Sequence, residues 1–297
     1  MRDPADGWLE RDGISLHYLE WAPDPEPRPA PPILLLHGLS SNAHYWDRVA
    51  QHLSGRRVIA LDQRGHGLTG RPPRAPHLPD GFAMEQLVAD AAYAIDRLAL
   101  ERPLIAGHSW GATVGLELAA HLGDAASGFV FIDGPVQSAA NLFSWEDAQR
   151  YMQPPLPRYS SFAQALEDGR RDFNGAWADD LEPFVMSRLM QDGSAFVLTL
   201  TAPVRLELLR GLYESPVEQL WAMLAVPAAA LLARQGPAAI TARREGGARM
   251  LAQVVPHVEV KWFDTPHDIP LYEPQAIAAE IARLGESEPA AAQELQQ

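Results

Sequence analysis

Short uninterrupted apolar runs alternate along the chain with longer stretches in which apolar positions recur every three or four residues. Ile33-Leu34-Leu35-Leu36 is such a run, as expected for a strand covered on both faces, and a helical pattern follows over residues 42–53. Residues 57–61, 104–106 and Gly128–Ile132 repeat the strand signal. Residues 84–98 and 111–122 repeat the helical one. An earlier strand is predicted over Ile14–Trp21, followed by a proline-rich surface turn over 22–32 that can sustain neither a ladder nor a helix. This β, α, β, α order predicts an α/β class with a mostly parallel sheet and helices on both faces.

The rhythm breaks over residues 134–222, where Trp, Met, Phe and Pro are scattered among helical segments such as 202–213 and no strand run is evident. That stretch is expected to be an inserted helical cap over 135–222, leaving 1–134 and 223–297 as one core domain. Strand signals resume at Ala228–Ala233 and 258–263, and residues 274–284 predict a closing helix with proline near its start. From Gly285 the Ala/Glu/Gln tail is expected to fray.

Composition narrows the function classes. Hydrophobic residues make up 47% and charged residues 21%, which suits a folded globular protein. The 24 basic and 38 acidic residues leave a net charge of −14, which repels phosphate backbones and anionic membrane surfaces, so neither nucleic acid nor membrane is an expected partner. With no cysteine, disulfides, thiolate metal sites and a cysteine nucleophile are excluded. The polar, acidic start has no apolar segment of the secretory kind, and the apolar stretch at 222–233 contains Pro227 and falls short of the roughly 20 residues a membrane helix needs. A cytoplasmic location is the expectation; the oligomeric state is open.

Chemistry enters at Gly107-His108-Ser109-Trp110-Gly111. This G-x-S-x-G run follows an apolar strand and opens a helix, the setting in which a strained turn lifts a serine hydroxyl above a sheet. Ser109 is therefore the candidate nucleophile. An ordinary strand-to-helix turn would also use glycine, but the strand before and helix after favour the catalytic reading. His37-Gly38-Leu39 leaves the strand Ile33–Leu36 toward the same edge, so the backbone N–H groups of Leu39 and Trp110 are the candidate oxyanion-hole donors. No metal-binding pattern and no nucleotide-binding glycine motif is present, so neither a metal nor another cofactor is expected.

Taken together, His37-Gly38, Asp62-Gln63-Arg64-Gly65-His66-Gly67, the serine motif and His267-Asp268-Ile269-Pro270 resemble the capped serine ester and lactone hydrolases of the α/β-hydrolase superfamily. The resemblance spans roughly residues 10–284. It implies an eight-stranded sheet, a helical cap after the sixth strand, no cofactor, and a triad in the order Ser, acid, His. His267, between the last strand and last helix, is then the candidate base. Many relatives carry the acid after the seventh strand, but residues 233–239 here hold no carboxylate. Some families of this fold place it after the sixth strand, where this chain has Asp133. Asp264 is the rival, and Asp268 lies beside His267.

Trp46, Trp177, Phe184 and Tyr213 are candidate substrate-binding aromatics, although such residues are more often plain core. The leading function is hydrolysis of a small-molecule carboxylic ester or lactone. Alternatives are a lactonase for a large or macrocyclic lactone, of the zearalenone-hydrolase kind, and a non-catalytic ligand receptor. Because relatives that open epoxides or cleave carbon–halogen bonds use a carboxylate nucleophile, a serine at this position argues against those reactions. The aromatic cap and the negative net charge predict a preference for neutral over highly charged substrates.

Overall fold

The computed structural model describes residues 3–23, 30–69 and 81–286. Most of the predicted 22–32 turn and the tail beyond residue 286 lie outside them. The chain begins with a hairpin of β1 (Ala5–Arg11) and β2 (Ile14–Trp21), closed by Asp12 and Gly13, both at positive φ as a two-residue turn requires. Then follow β3 (Ile33–Leu36), a short 3-10 turn (Ala43–Trp46) leading into α1 (Asp47–Gln51), β4 (Val58–Leu61), α2 (Met84–Arg97), β5 (Leu104–His108), α3 (Trp110–Leu122) and β6 (Gly128–Ile132).

Between β6 and the next strand of this sheet lie α4 (Trp145–Met152), β7 (Arg158–Tyr159), α5 (Phe162–Asp172), α6 (Glu182–Met186), β8 (Leu189–Asp192), β9 (Ala195–Leu198), α7 (Ala202–Glu214) and α8 (Val217–Met223). The segment closes with β10 (Ala228–Ala233), α9 (Ala238–Val254), β11 (Glu259–Phe263), α10 (Ile269–Tyr272) and α11 (Pro274–Gly285). Two findings differ from the sequence expectation here. The insertion is not wholly helical, because β7, β9 and β8 form a small antiparallel sheet. The boundary expected at 222 falls inside α8, whose Trp221 packs against Phe129 and Phe131 of β6 and so belongs to the core layer.

The main sheet has eight strands in the order β1-β2-β4-β3-β5-β6-β10-β11. All neighbours from β4 to β11 pair parallel, and β2 runs antiparallel to both β1 and β4. The central strands read as continuous apolar runs because alternate residues enter two separate cores. Leu34, Leu36, Ile105, Phe129 and Phe131 face the core shared with α2, α3 and α8, while Ile33, Leu35, Ala106, Val130 and Ile132 face the one shared with α1 and α11. Strand order reverses at β3, since β4 lies on one side of it and β5 on the other. The C-terminal edge at that switch point is where open α/β sheets leave a crevice.

Candidate active site

The parallel ladder itself positions two of the three candidate catalytic side chains. His108 pairs with Ile132 at the ends of β5 and β6, so Ser109 and Asp133 each stand one residue beyond paired strands. The Ser109 N–H donates to the Ile132 carbonyl at 2.8 Å and the Asp133 N–H to the Leu231 carbonyl at 2.8 Å. Both residues are held at positive φ, 55° for Ser109 and 45° for Asp133, a conformation that L side chains adopt only when the surroundings enforce it. The surroundings are tight. A methyl group on Gly107 would collide with the Gly111 carbonyl, one on Gly111 with the His37 carbonyl, and one on Gly134 would sit 2.7 Å from the Ser109 carbonyl oxygen.

His267 arrives from the loop between β11 and α10. Its Nε2 lies 2.9 Å from Ser109 Oγ and its Nδ1 lies 2.6 Å from Asp133 Oδ2. With the proton on Nδ1, the ring donates to Asp133 and accepts from the serine hydroxyl. Asp133 is fully buried at its side chain, and its other oxygen accepts the Ala233 N–H at 2.9 Å. Arg244 on α9 also pairs with Asp133 Oδ2 and donates to the Gln235 carbonyl. The rival acids are directed elsewhere: Asp264 is exposed beside Gln235, and Asp268 accepts from Tyr45 Oη at 3.2 Å.

These contacts set the charge states. Burial favours a neutral Asp133, but the hydrogen bond and charge of His267, then Arg244 and the Ala233 amide, outweigh it and hold the carboxyl below its ordinary range. For His267 burial opposes the imidazolium, while the Asp133 hydrogen bond and charge, helped by Asp268, raise its pKa above 6.5 despite Arg244. His108, against the back of His267, is pushed down to about 3 by burial and by the nearby His267 charge, and its Nε2 lies 3.1 Å from the His267 carbonyl.

The oxyanion-hole candidates face the same crevice. A methyl on Gly38 would lie 3.2 Å from Ser109 Cβ, so the loop carrying Leu39 passes over the serine, and Trp110 opens α3 directly after it. Among the described residues neither the Leu39 nor the Trp110 amide has an acceptor. The loop is braced from behind. Ser40, at φ 66°, donates its N–H to Nε2 of His66, whose pKa burial and the His37 charge push down to about 3, keeping that nitrogen available as an acceptor. Asp62 accepts from the Ala43 and Leu68 amides and from His17, and Arg64 forks onto Asp90.

A cavity of about 560 Å³ opens over Ser109 and His267, walled by apolar side chains that include Trp110, Val136, Leu142, Phe143, Met152 and Ile240. None of the four expected aromatics lines it. Trp46 and Phe184 are buried in the core on the α1 side, Trp177 borders a separate surface groove near Arg48, and Tyr213 meets Trp145 edge to face while donating to the Phe143 carbonyl. The residues missed are the wall around Phe143 and the paired arginines Arg243 and Arg244.

Comparison with known proteins places this geometry in context. The matched segment is 32% identical over 116 residues to epoxide hydrolase A of Mycobacterium tuberculosis, covering 38% of this chain and 34% of that protein. It is 29% identical over 167 residues to a non-heme chloroperoxidase of Burkholderia pyrrocinia, covering 55% of each. A bifunctional esterase/perhydrolase of Acinetobacter calcoaceticus is 34% identical over 105 residues, 34% of each chain. The chain thus spans only about a third to a half of the length of these relatives. Among solved structures, E-2-(acetamidomethylene)succinate hydrolase superposes with a TM-score of 0.77 at 19% identity, covering 96% of this chain and 100% of that one. The family model described as the alpha/beta hydrolase fold matches residues 31–207, more than half of the chain, and the protein belongs to that family.

Proposed function

We propose that the protein is a serine hydrolase that cleaves a carboxylic ester or lactone through an acyl-enzyme. The observation that carries this reading is the continuous hydrogen-bonded chain from Ser109 Oγ through His267 to the buried Asp133, beside two amides without acceptors among the described residues. In the proposed reaction Ser109 Oγ forms a bond to the acyl carbon as its proton passes to His267 Nε2. The carbonyl oxygen becomes an oxyanion facing the Leu39 and Trp110 N–H groups, at the positive end of the α3 dipole. Collapse breaks the bond to the leaving oxygen, which takes the proton from His267; for a lactone, that oxygen stays tethered to the acyl group. Water then attacks the acyl carbon, gives its proton to His267, and the serine leaves with that proton restored.

A serine also argues against epoxide opening, the activity in one relative's name. Attack of Ser109 on an epoxide carbon would leave an ether, which has no carbonyl for water to attack, so the enzyme would be alkylated without turnover. A receptor role is disfavoured by the fully assembled proton chain.

Labelling with a fluorophosphonate tests the reading. The adduct is expected on Ser109, and Ser109→Ala and His267→Ala are each expected to lower kcat for p-nitrophenyl butyrate by on the order of 10⁶, with the double variant no worse. An adduct on another residue, or single losses that multiply in the double variant, would sink the assignment.

A further inference from the structure

The geometry points to Arg243 as the specificity residue of this pocket, selecting substrates that carry one carboxylate away from the scissile bond. The inference rests on the hydrolase reading of the same site and names its substrate class.

The charged side chains lining the cavity, apart from His267, are Asp133, Arg243 and Arg244. Asp133 is fully engaged, with one oxygen on the Ala233 amide and the other on His267 and Arg244. Arg244 is neutralised by that contact. Arg243, next to it on α9, has no carboxylate or carbonyl partner among the described residues. Asp147, which borders the adjoining cavity also lined by Arg243, is occupied by Arg150 and by Ser144 at the start of α4. The pocket therefore carries one uncompensated positive charge on a predominantly apolar wall.

Arg243 is also pre-oriented. Its guanidinium carbon lies 3.8 Å from the centroid of the Phe143 ring, so one face of the cation is covered by an aromatic wall residue. Ring contact occupies the face of a guanidinium and leaves its N–H edge, the part that matches a carboxylate fork, to other partners. A half-buried cation on an apolar wall is incompletely solvated, and an incoming carboxylate would restore what the wall withholds.

Net charge led to the opposite expectation, that anionic substrates are disfavoured. Distance decides between the two effects. At 0.15 M salt, charges on the open surface are screened over about 8 Å, whereas a pair formed inside a walled pocket is screened much less. The local cation prevails for a single carboxylate. Among the described residues the lining offers no second uncompensated cation, so a dianion gains no further ion pair.

The test compares p-nitrophenyl butyrate with mono-p-nitrophenyl glutarate, which share a leaving group and differ by an acyl carboxylate. Wild type is expected to favour the glutarate ester in kcat/KM by about tenfold or more, mostly through KM, as a charge-assisted contact to a non-reacting group should. In Arg243→Gln that preference collapses, Arg243→Lys keeps part of it, and Arg243→Glu reverses it, with melting temperature confirming that each variant is folded. A preference for glutarate unchanged in Arg243→Gln and Arg243→Glu, or absent from wild type, overturns the inference.

Binding to the Ser109→Ala protein, measured with both esters by calorimetry, separates this outcome from failure of the hydrolase reading. If the glutarate ester binds more tightly there, and does so only with Arg243 present, the inference holds even should wild type turn over neither ester. Equal binding of the two esters overturns the inference even if Ser109 labels and hydrolyses both.

Discussion

One carboxylate oxygen of Asp133 is shared by His267 and Arg244, and that sharing makes distinct predictions for Asp133 and Arg244. Asp133→Asn keeps the shape but can present its N–H₂ to the imidazole, favouring the wrong tautomer; kcat should fall by on the order of 10⁴ while the fold persists. Steady-state kinetics together with circular dichroism would detect retained activity, which would remove Asp133 from the mechanism. Arg244 acts on the same base from the other side. Its charge lowers the His267 pKa against the raising effect of Asp133, so Arg244→Gln should leave His267 more basic. Because the proposed base must be neutral to accept the serine proton, the acid limb of kcat/KM, expected above pH 6.5 in wild type, should move to higher pH in that variant. An acid limb that stays or moves down would show that Arg244 does not couple to His267. At this scale the sequence was informative where a motif constrains geometry. Ser109 sits in a glycine pattern that demands a tight turn, and Asp133 is the carboxylate at the end of an unmistakable strand. Arg243 and Arg244 were illegible because α9 buries little beyond Gly247 and Leu251, so its sequence shows no face from which an inward direction can be read. The aromatics misled for the complementary reason: Trp46 and Phe184 are large enough to be core, and core is where they lie.

Among elements, the strand-to-helix turn from β5 into α3 is the most constrained. Gly111 packs so closely on the end of β3 that an added methyl would meet backbone atoms of Leu36 and His37, which cannot rotate away. Gly111→Ala should therefore destabilise by on the order of 3 kcal/mol, read as a lower urea midpoint, although alanine is the better helix former. A neutral effect would mean that β3 and α3 can separate without cost. The same physics explains which elements could be read from sequence. Central strands β3, β5, β6 and β10 are buried on both faces and show as solid apolar runs. By contrast β1 has no buried face, β7 has only two residues, and β8 is short and largely exposed, so no periodic apolar pattern marks them.

For the molecule as a whole, buried histidines pull stability down in acid, against the smaller opposing effect of Asp47, Glu117 and Asp268, whose carboxyl pKa values burial raises. His37, His66 and His108 all have pKa values depressed chiefly by burial, the last two to about 3. Between pH 6.5 and about 4 the unfolded chain protonates His66 and His108 while the native state does not, and His37 acts in the same direction, so stability should fall as pH falls through that window. His17 and His267, whose pKa values are raised, contribute stability that is fully present below pH 6.5 and is lost as pH rises through their folded values; they do not oppose the trend in the acid window. Urea midpoints between pH 7 and pH 4 would register the decline, and a flat profile would contradict the buried neutral assignment.

A triad acid after β6, as proposed, has an evolutionary consequence. Ser109 and Asp133 extend neighbouring strands, and from the far side Asp133 is held by a backbone amide, that of Ala233, which any residue at that position except proline can supply. The turn at Gln235-Gly236-Pro237 is thereby released from carrying a carboxylate, yet it still forms part of the wall of the cavity. Mutations in that turn can reshape what the pocket admits without altering the distance between Ser109 and Asp133. The turn that walls this part of the cavity is distinct from the two strand ends that carry Ser109 and Asp133, so substitutions in it can explore new substrates while those strand ends are inherited unchanged.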